Sequence, residues 1–244
     1  MARVSSRTAF EGEDEYLNTA PYAIRRKVAA IWAMRAGLEL AVSAGYAIII
    51  RELLETGAAQ PVLETCCDAV RDEVAHAQLC LDLAQRIDGE ARPFPAPASL
   101  HVPTYPGVRP GALQTALHLV AMSCLNETIA CVRLLEAIQL TRSSSAERAL
   151  RRILSDEIVH ARAGYAHLAS SYVDSEMKLA IREHLPTLIQ ASITSLIDEN
   201  STIPTEEFSA FGLPSVAIAR AHADKAIREI VMPGFAQLGI LTST

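Results

Sequence analysis

Aromatic residues are scarce in this chain, with one tryptophan, six tyrosines and five phenylalanines among 244 residues. A β-sandwich or barrel would draw on aromatic and β-branched runs at period two. Half the residues are hydrophobic, with alanine and leucine dominant, which favours long packed helices instead. A basic excess is also missing. The formal charge of −6 and pI near 5.7 exclude a general nucleic-acid surface. Cysteines number five, an odd count with no C-x-x-C pair, so a reduced, cytoplasmic setting is expected. Long apolar runs are absent too: the longest, near 40–50, is about 11 residues, whereas a bilayer needs ~20, and no membrane span is expected. The stretch Glu11–Glu15 is acidic and does not resemble a signal peptide.

At this length the chain can bury a sizeable core. Residues 1–17 are expected to be a loose, flexible tail. Asn18 or Thr19 can cap a first helix with Pro21 in its first turn, reaching about Glu55. After the short turn at Gly57–Gln60, a second helix is expected from Pro61 to Ile87. The segment 90–110 holds six of the twelve prolines and cannot be helical. A third helix should run from Gly111 to about Leu140. Ser144 with Glu147 reads as the capping box of a fourth, reaching about Val173. A fifth segment starts at Asp174 or Ser175, is interrupted by Pro186 and fades near Asn200. A last helix spans about Pro214 to Val231, stopped by Pro233-Gly234. Two helix hairpins joined by a long proline-rich connection describe an all-α four-helix bundle, residues 18–173, with one crossover between helices two and three. Residues 174–244 form a C-terminal extension of two or more helices packed on that bundle, within a single domain.

Against this background one pattern occurs twice, Asp72-Glu73-Val74-Ala75-His76-Ala77 and Asp156-Glu157-Ile158-Val159-His160-Ala161. Each puts a carboxylate and an imidazole at i and i+3 on one helix face, where both can reach one metal ion. A lone E-x-x-H carries little weight, but the whole string has a chance expectation of roughly a few in a thousand per occurrence. The copies sit at equivalent heights on helices two and four, so the missing ligands should be mid-helix acids on helices one and three. Glu39, among Gly37, Leu38, Leu40 and Ala41, and Glu127 meet that condition. Glu136, Glu52 and Glu55 lie too near the turns, and the last two read as solvated. Four Glu and two His match the inner set of di-iron and di-manganese bundles. Carboxylates with imidazole suit iron or manganese, whereas zinc needs only three or four ligands.

On these residues the chain resembles the ferritin-like di-iron carboxylate proteins, which include rubrerythrins, bacterioferritins, ribonucleotide reductase small subunits, bacterial multicomponent monooxygenases and aldehyde-deformylating oxygenases. The likeness covers roughly residues 20–173. It implies two iron ions, or manganese, bridged by Glu73 and Glu157. Glu39 with His76 and Glu127 with His160 would then belong to separate metals. It further implies that Asp72 and Asp156 each hydrogen-bond the histidine of the opposite motif, fixing its tautomer.

Other residues share the inner faces. Tyr46 and Trp32 lie seven residues either side of Glu39, and Arg35 lies four before it. Cys66 and Cys80 flank Glu73; Cys124 and Cys131 flank Glu127. Tyr46 and Arg35 are candidate catalytic residues, and Cys80, Cys124 and Cys131 are candidates for lining a pocket. Each is equally a suitable core filler. His101, His118, His167, His184 and His222 lack spacing partners and read as core or surface histidines.

What the chain lacks narrows the expected function. There is no rubredoxin-like cysteine pair, as in rubrerythrins. The long crossover and extra C-terminal residues are ill suited to a bacterioferritin-like cage. Ile153 occupies the place where an aryl-amine N-oxygenase of this superfamily would offer an extra histidine. The expectation is a non-haem di-iron oxidase or oxygenase that uses O₂ on a small organic substrate, fed by an external reductase or ferredoxin. A homodimer is compatible with this. The alternative is a ferroxidase, iron-handling or rubrerythrin-like peroxide-scavenging protein without an organic substrate.

Overall fold

A computed structural model describes residues 10, 12–96, 103–200 and 206–241, and among them every regular element is helical. His101 lies outside the described residues. The first described element is a short helix, α1 (Glu15–Thr19). It belongs to a segment that the sequence reading assigned to a loose tail, yet Phe10, Asp14 and Leu17 are buried. The reason is local chemistry: Asp14 caps α1 through the Leu17 amide at 3.0 Å. Its other oxygen accepts from the Ser143 hydroxyl at 2.6 Å and the Ser145 amide at 2.9 Å. One carboxylate thereby ties two helix starts together, satisfying amides that have no intrahelical partner.

Four long helices follow. Helix α2 (Tyr22–Thr56) and α3 (Gln60–Asp88) form a hairpin around Gly57. There φ is +95°, and a Cβ would meet the Tyr172 ring at 2.7 Å, so both conformation and space demand glycine. Helix α4 (Ala112–Leu140) and α5 (Ser144–Leu168) form a second hairpin. Ser143, not Ser144, caps α5, accepting from the Ala146 amide at 3.1 Å; the capping signal was one residue out of register. Helix α5 also stops at Leu168, short of Val173. Helix α4 contains a π-helical stretch, Val120–Glu127, which propensity alone does not reveal.

The remaining chain packs outside this set. Helix α6 (Ser175–Asn200), capped by Asp174 through the Met177 amide, runs on through Pro186 rather than breaking. Pro186 and Arg182 face solvent, where water can take the carbonyl that proline leaves unpaired. A 3₁₀ turn (Glu206–Phe211) leads to α7, residues 216–237. Helix α7 passes the expected stop at Pro233-Gly234, because a π-helical stretch, Ile227–Val231, precedes it and Pro233 enters at the start of a new first turn.

The buried side chains fall into layers. Trp32, Leu83, Ile138 and Leu150, with Phe208 and Phe211 from the 3₁₀ turn, fill one end of the four-helix set. Tyr46, Ile49, Leu53, Cys66 and Leu119 fill the other. Helices α6 and α7 pack beyond, through Leu185, Leu196, Ala223 and Phe235. Helices α2 and α4 are each long and apolar enough to cross a membrane by length and composition. The sequence reading counted uninterrupted apolar runs and so did not flag them. In α4 that apolar surface is mostly buried by the protein's own helices.

Replacing Asp14 by alanine removes three accepted hydrogen bonds from a buried position. Urea denaturation should show a loss of roughly 1–3 kcal/mol. Burial opposes ionisation of Asp14, but the hydrogen bonds from Ser143, Ser145 and Leu17 hold it below the ordinary value of 3.8. The parent's advantage should therefore be full above that value and shrink as the pH falls through the lower folded value.

Candidate metal centre

Between the two apolar end layers, Glu39 of α2, Glu73 and His76 of α3, Glu127 of α4, and Glu157 and His160 of α5 converge. Glu73, His76, Glu127, Glu157 and His160 are buried, and Glu39 is half-buried. Their donor atoms form two groups. Glu39, Glu73, His76 and Glu157 make one; Glu73, Glu127, Glu157 and His160 make the other; within each, all donor atoms lie within 4.8 Å of one another. Glu73 and Glu157 belong to both. Helical spacing accounts for the arrangement, since i and i+3 put each Glu and His on one face, and the heights of Glu39 and Glu127 bring them level.

His76 is held from both sides, whereas His160 is held on its Nδ1 side and makes no hydrogen bond to Asp72. His76 Nδ1 lies 3.2 Å from Glu73 Oε2 and 3.5 Å from Glu157 Oε1, while its Nε2 lies 3.0 Å from Asp156 Oδ2. His160 Nδ1 lies 2.9 Å from Glu157 Oε2 and 3.1 Å from Glu73 Oε1, with its Nε2 3.6 Å from Asp72 Oδ2. Asp72 and Asp156 thus stand across the α3–α5 seam from the histidine of the opposite motif. Arg152 donates to the far oxygen of Asp156 at 3.0 Å, and Arg71 pairs with Asp72 at 3.3 Å. With Nε2–H given to Asp156, the lone pair of His76 Nδ1 faces the carboxylates, the tautomer that a ligand requires.

Three buried carboxylates and the half-buried Glu39 against two imidazoles are a costly set. Burial, and after it the charges of Glu73 and Glu157, push the Glu39 carboxyl well above its ordinary 4.5. Burial, then Glu157 and Glu73, do the same to Glu127. Burial disfavours protonated His160, but its bonds to Glu157 and Glu73 lift it to about 10. His76 is raised in the same way by Asp156, Glu157 and Glu73. Glu157, although buried, is pulled down to about 2 by His160 and His76. The buried oxygens Glu127 Oε1 and, apart from its 3.1 Å ion-pair contact with His160, Glu73 Oε1 have no hydrogen-bond partner. Two divalent cations fit this donor set: with both imidazoles neutral, four carboxylates balance four positive charges, and the unpartnered oxygens gain a ligand.

The remaining candidates divide. The fully buried Tyr46 shares a hydrogen bond of 3.2 Å with Ser123 and presents its ring edge-on to His160 at 5.9 Å. Arg35 stacks on Trp32, its guanidinium 5.0 Å from the ring centre, and its charge reaches Glu39 and Cys80. The Cys80 thiol is pushed up by burial and then by Glu39, and Cys131 to about 12 by burial and then Glu157, so both border the cluster. Cys124 does not line the site: it packs in the apolar layer toward α6, against Gly164. A surface groove of about 620 Å³ is lined by α6 residues such as Pro186, Gln190 and Thr194. A void of about 10 Å³ lies between Arg35, Leu134, Leu150 and Gly212.

Sequence reasoning missed one polar pair. Glu52 is buried, not solvated, against His118, which had no spacing partner to mark it. The two lie on different helices, so no periodicity could link them.

The unequal bonds to the histidines have a measurable consequence. Asp156→Ala should weaken retention of manganese or iron ~10–100-fold with helical content preserved, and Asp72→Ala, whose contact is longer, should weaken it less. Metal competition with a chelator followed by circular dichroism checks both; equal, parent-like retention would place these carboxylates outside the metal's influence. Comparison with protein-family models, with curated proteins and with solved structures finds no match, and the buried carboxylate–histidine cluster is what characterises this chain.

Proposed function

We propose that this chain is a ferritin-like protein holding two iron ions, with manganese as the alternative metal, and that it uses O₂ to oxidise a small organic molecule. The observation that carries the reading is that two four-residue donor groups share Glu73 and Glu157. Two carboxylates common to both groups could be shared by a pair of adjacent ions. Glu39 and His76 would complete one ion, and Glu127 and His160 the other. Bound iron would supply the electrons for O₂ reduction.

The protein's own share follows from the geometry. Asp156 orients the His76 imidazole, Asp72 stands 3.6 Å from that of His160, and the layers around Trp32 and Tyr46 exclude water from the cluster. Tyr46 places a phenol beside His160, its hydroxyl fixed by the hydrogen bond shared with Ser123. Electrons would come from an external reductase or ferredoxin, since no cysteine pair here suits an iron–sulfur inlet.

A second reading, metal handling or peroxide reduction without an organic substrate, is favoured by one observation. A groove of about 620 Å³ lies on α6, away from the cluster, and the void beside Arg35 accommodates no more than a water.

Iron-reconstituted protein should contain two ions per chain by metal analysis, and Glu157→Ala should hold fewer than one. A content of one ion or less in the parent would sink the two-metal assignment. The ferrous protein mixed with O₂ should consume it without peroxide, and product analysis with apolar aldehydes, alcohols and amines should show one class oxidised. Accumulation of hundreds of ferric ions per oligomer would instead establish the metal-handling reading.

A further inference from the structure

A second buried polar pair lies away from the cluster. Glu52 of α2 and His118 of α4 are 6% and 5% exposed, with Glu52 Oε2 2.7 Å from His118 Nδ1. His118 Nε2 donates to the Pro103 carbonyl at 2.9 Å, so the imidazole ties the proline-rich crossover to α2. Gln114 donates to the other Glu52 oxygen at 3.4 Å, and the Tyr105 ring lies against His118 at 5.5 Å. Glu52 is thirteen residues past Glu39 on one helix, ~20 Å along the axis, so the pair does not touch the cluster.

Its connection to the cluster runs through α4. His118 precedes Glu127 by nine residues, and in a regular α-helix ~100° per residue would place them on opposite faces. Both nevertheless point inward: His118 to Glu52, and Glu127 to Glu73, Glu157 and His160. Between them Ser123 meets Tyr46 of α2. The π-helical stretch Val120–Glu127 reconciles these demands, because each extra residue taken into a wide turn sets the helix phase back by ~100°. The flanking helices are cut to admit the swelling. A Cβ on Gly45 of α2 would run into Met122 Cε, and one on Gly164 of α5 would lie 2.5 Å from Cys124 Sγ and 3.0 Å from the Leu119 carbonyl.

We propose that the Glu52–His118 pair is a positioning device for Glu127. It pins the start of α4 to α2, selects the π-helical register over the α-helical one, and so keeps the Glu127 carboxylate on the cluster. The inference rests on the two-metal reading above. In the α-helical register Glu127 would swing away from the cluster, while Glu39, Glu73, His76 and Glu157 would stay in place. Loss of the pair should therefore empty one half of the centre and spare the other, a selectivity that general destabilisation would not produce.

The test titrates Mn²⁺ into the full-length parent, Glu52→Leu, His118→Leu and the conservative Glu52→Gln, and follows amide exchange across 120–127 in each. The parent should bind two ions and both leucine variants one, with amides of 120–127 exchanging faster and those of α3 unchanged. Glu52→Gln, which keeps an acceptor for His118 but not the charge, should retain two ions with the weaker one loosened by ~10-fold. Two ions at parent affinity in both leucine variants would overturn the proposal, as would equal loss of both ions with reduced helical content. If the leucine variants fail to fold, Glu52→Gln decides, and parent-like binding and exchange there would overturn it. Should the parent itself bind fewer than two ions, the two-metal reading fails. Exchange in the metal-free chains then decides the register claim, unchanged protection of 120–127 in the variants overturning it.

Discussion

Everything in this protein is arranged around the burial of Glu73 and Glu157 opposite two imidazoles. Taking carboxylates out of water is expensive, and each of these two meets both His76 and His160. That crossed arrangement requires α3 and α5 to face each other at one height, which in turn fixes how the two hairpins dock. Glu39 and Glu127 then add two carboxylates beyond those that the imidazoles pair with, and the whole set could hold metal ions. A site of this kind is a strong specifier of register, because a slip of one residue in either helix would leave buried charge unpaired.

The apolar layers follow from that constraint. Leucine, alanine and the few large aromatics gather above and below the cluster rather than within it, with Trp32 at one end and Tyr46 at the other. The C-terminal segment closes the Trp32 end, where the Phe211 carbonyl accepts from the indole nitrogen at 3.1 Å. Ala210 also accepts from the Arg142 amide and the Thr141 hydroxyl at the turn between α4 and α5. Residues from the C-terminal segment therefore help to close this end of the four-helix set.

The two halves are alike in sequence but unequal in structure. Asp156 reaches His76 at 3.0 Å, while Asp72 stands 3.6 Å from His160, whose Nε2 has no hydrogen-bond partner. Only the half built on α4 carries a π-helical stretch at its ligand. The two donor groups are therefore not equivalent.

The repeated D-E-x-x-H-A string was enough by itself to locate the centre. Helical periodicity turns spacing into direction, so Glu73, His76, Glu157 and His160 could be placed on facing surfaces. The heights of Glu39 and Glu127 followed from the hairpin turns, and the cross-placed aspartates from the likeness to the di-iron family. The long helices were legible because apolar period and breakers act within a few residues of one another. Tertiary structure alone decided what depended on distant partners. Asp14 orders the start of the chain because Ser143 and Ser145 come to it, and Glu52 is buried because His118 covers it. Pro186 and Pro233 stay within helices because solvent or a neighbouring wide turn absorbs the missing bond, and the wide turns of α4 fit because glycines on α2 and α5 leave room. Local pattern encodes which face a side chain takes; only the packed chain determines which group from elsewhere meets it there.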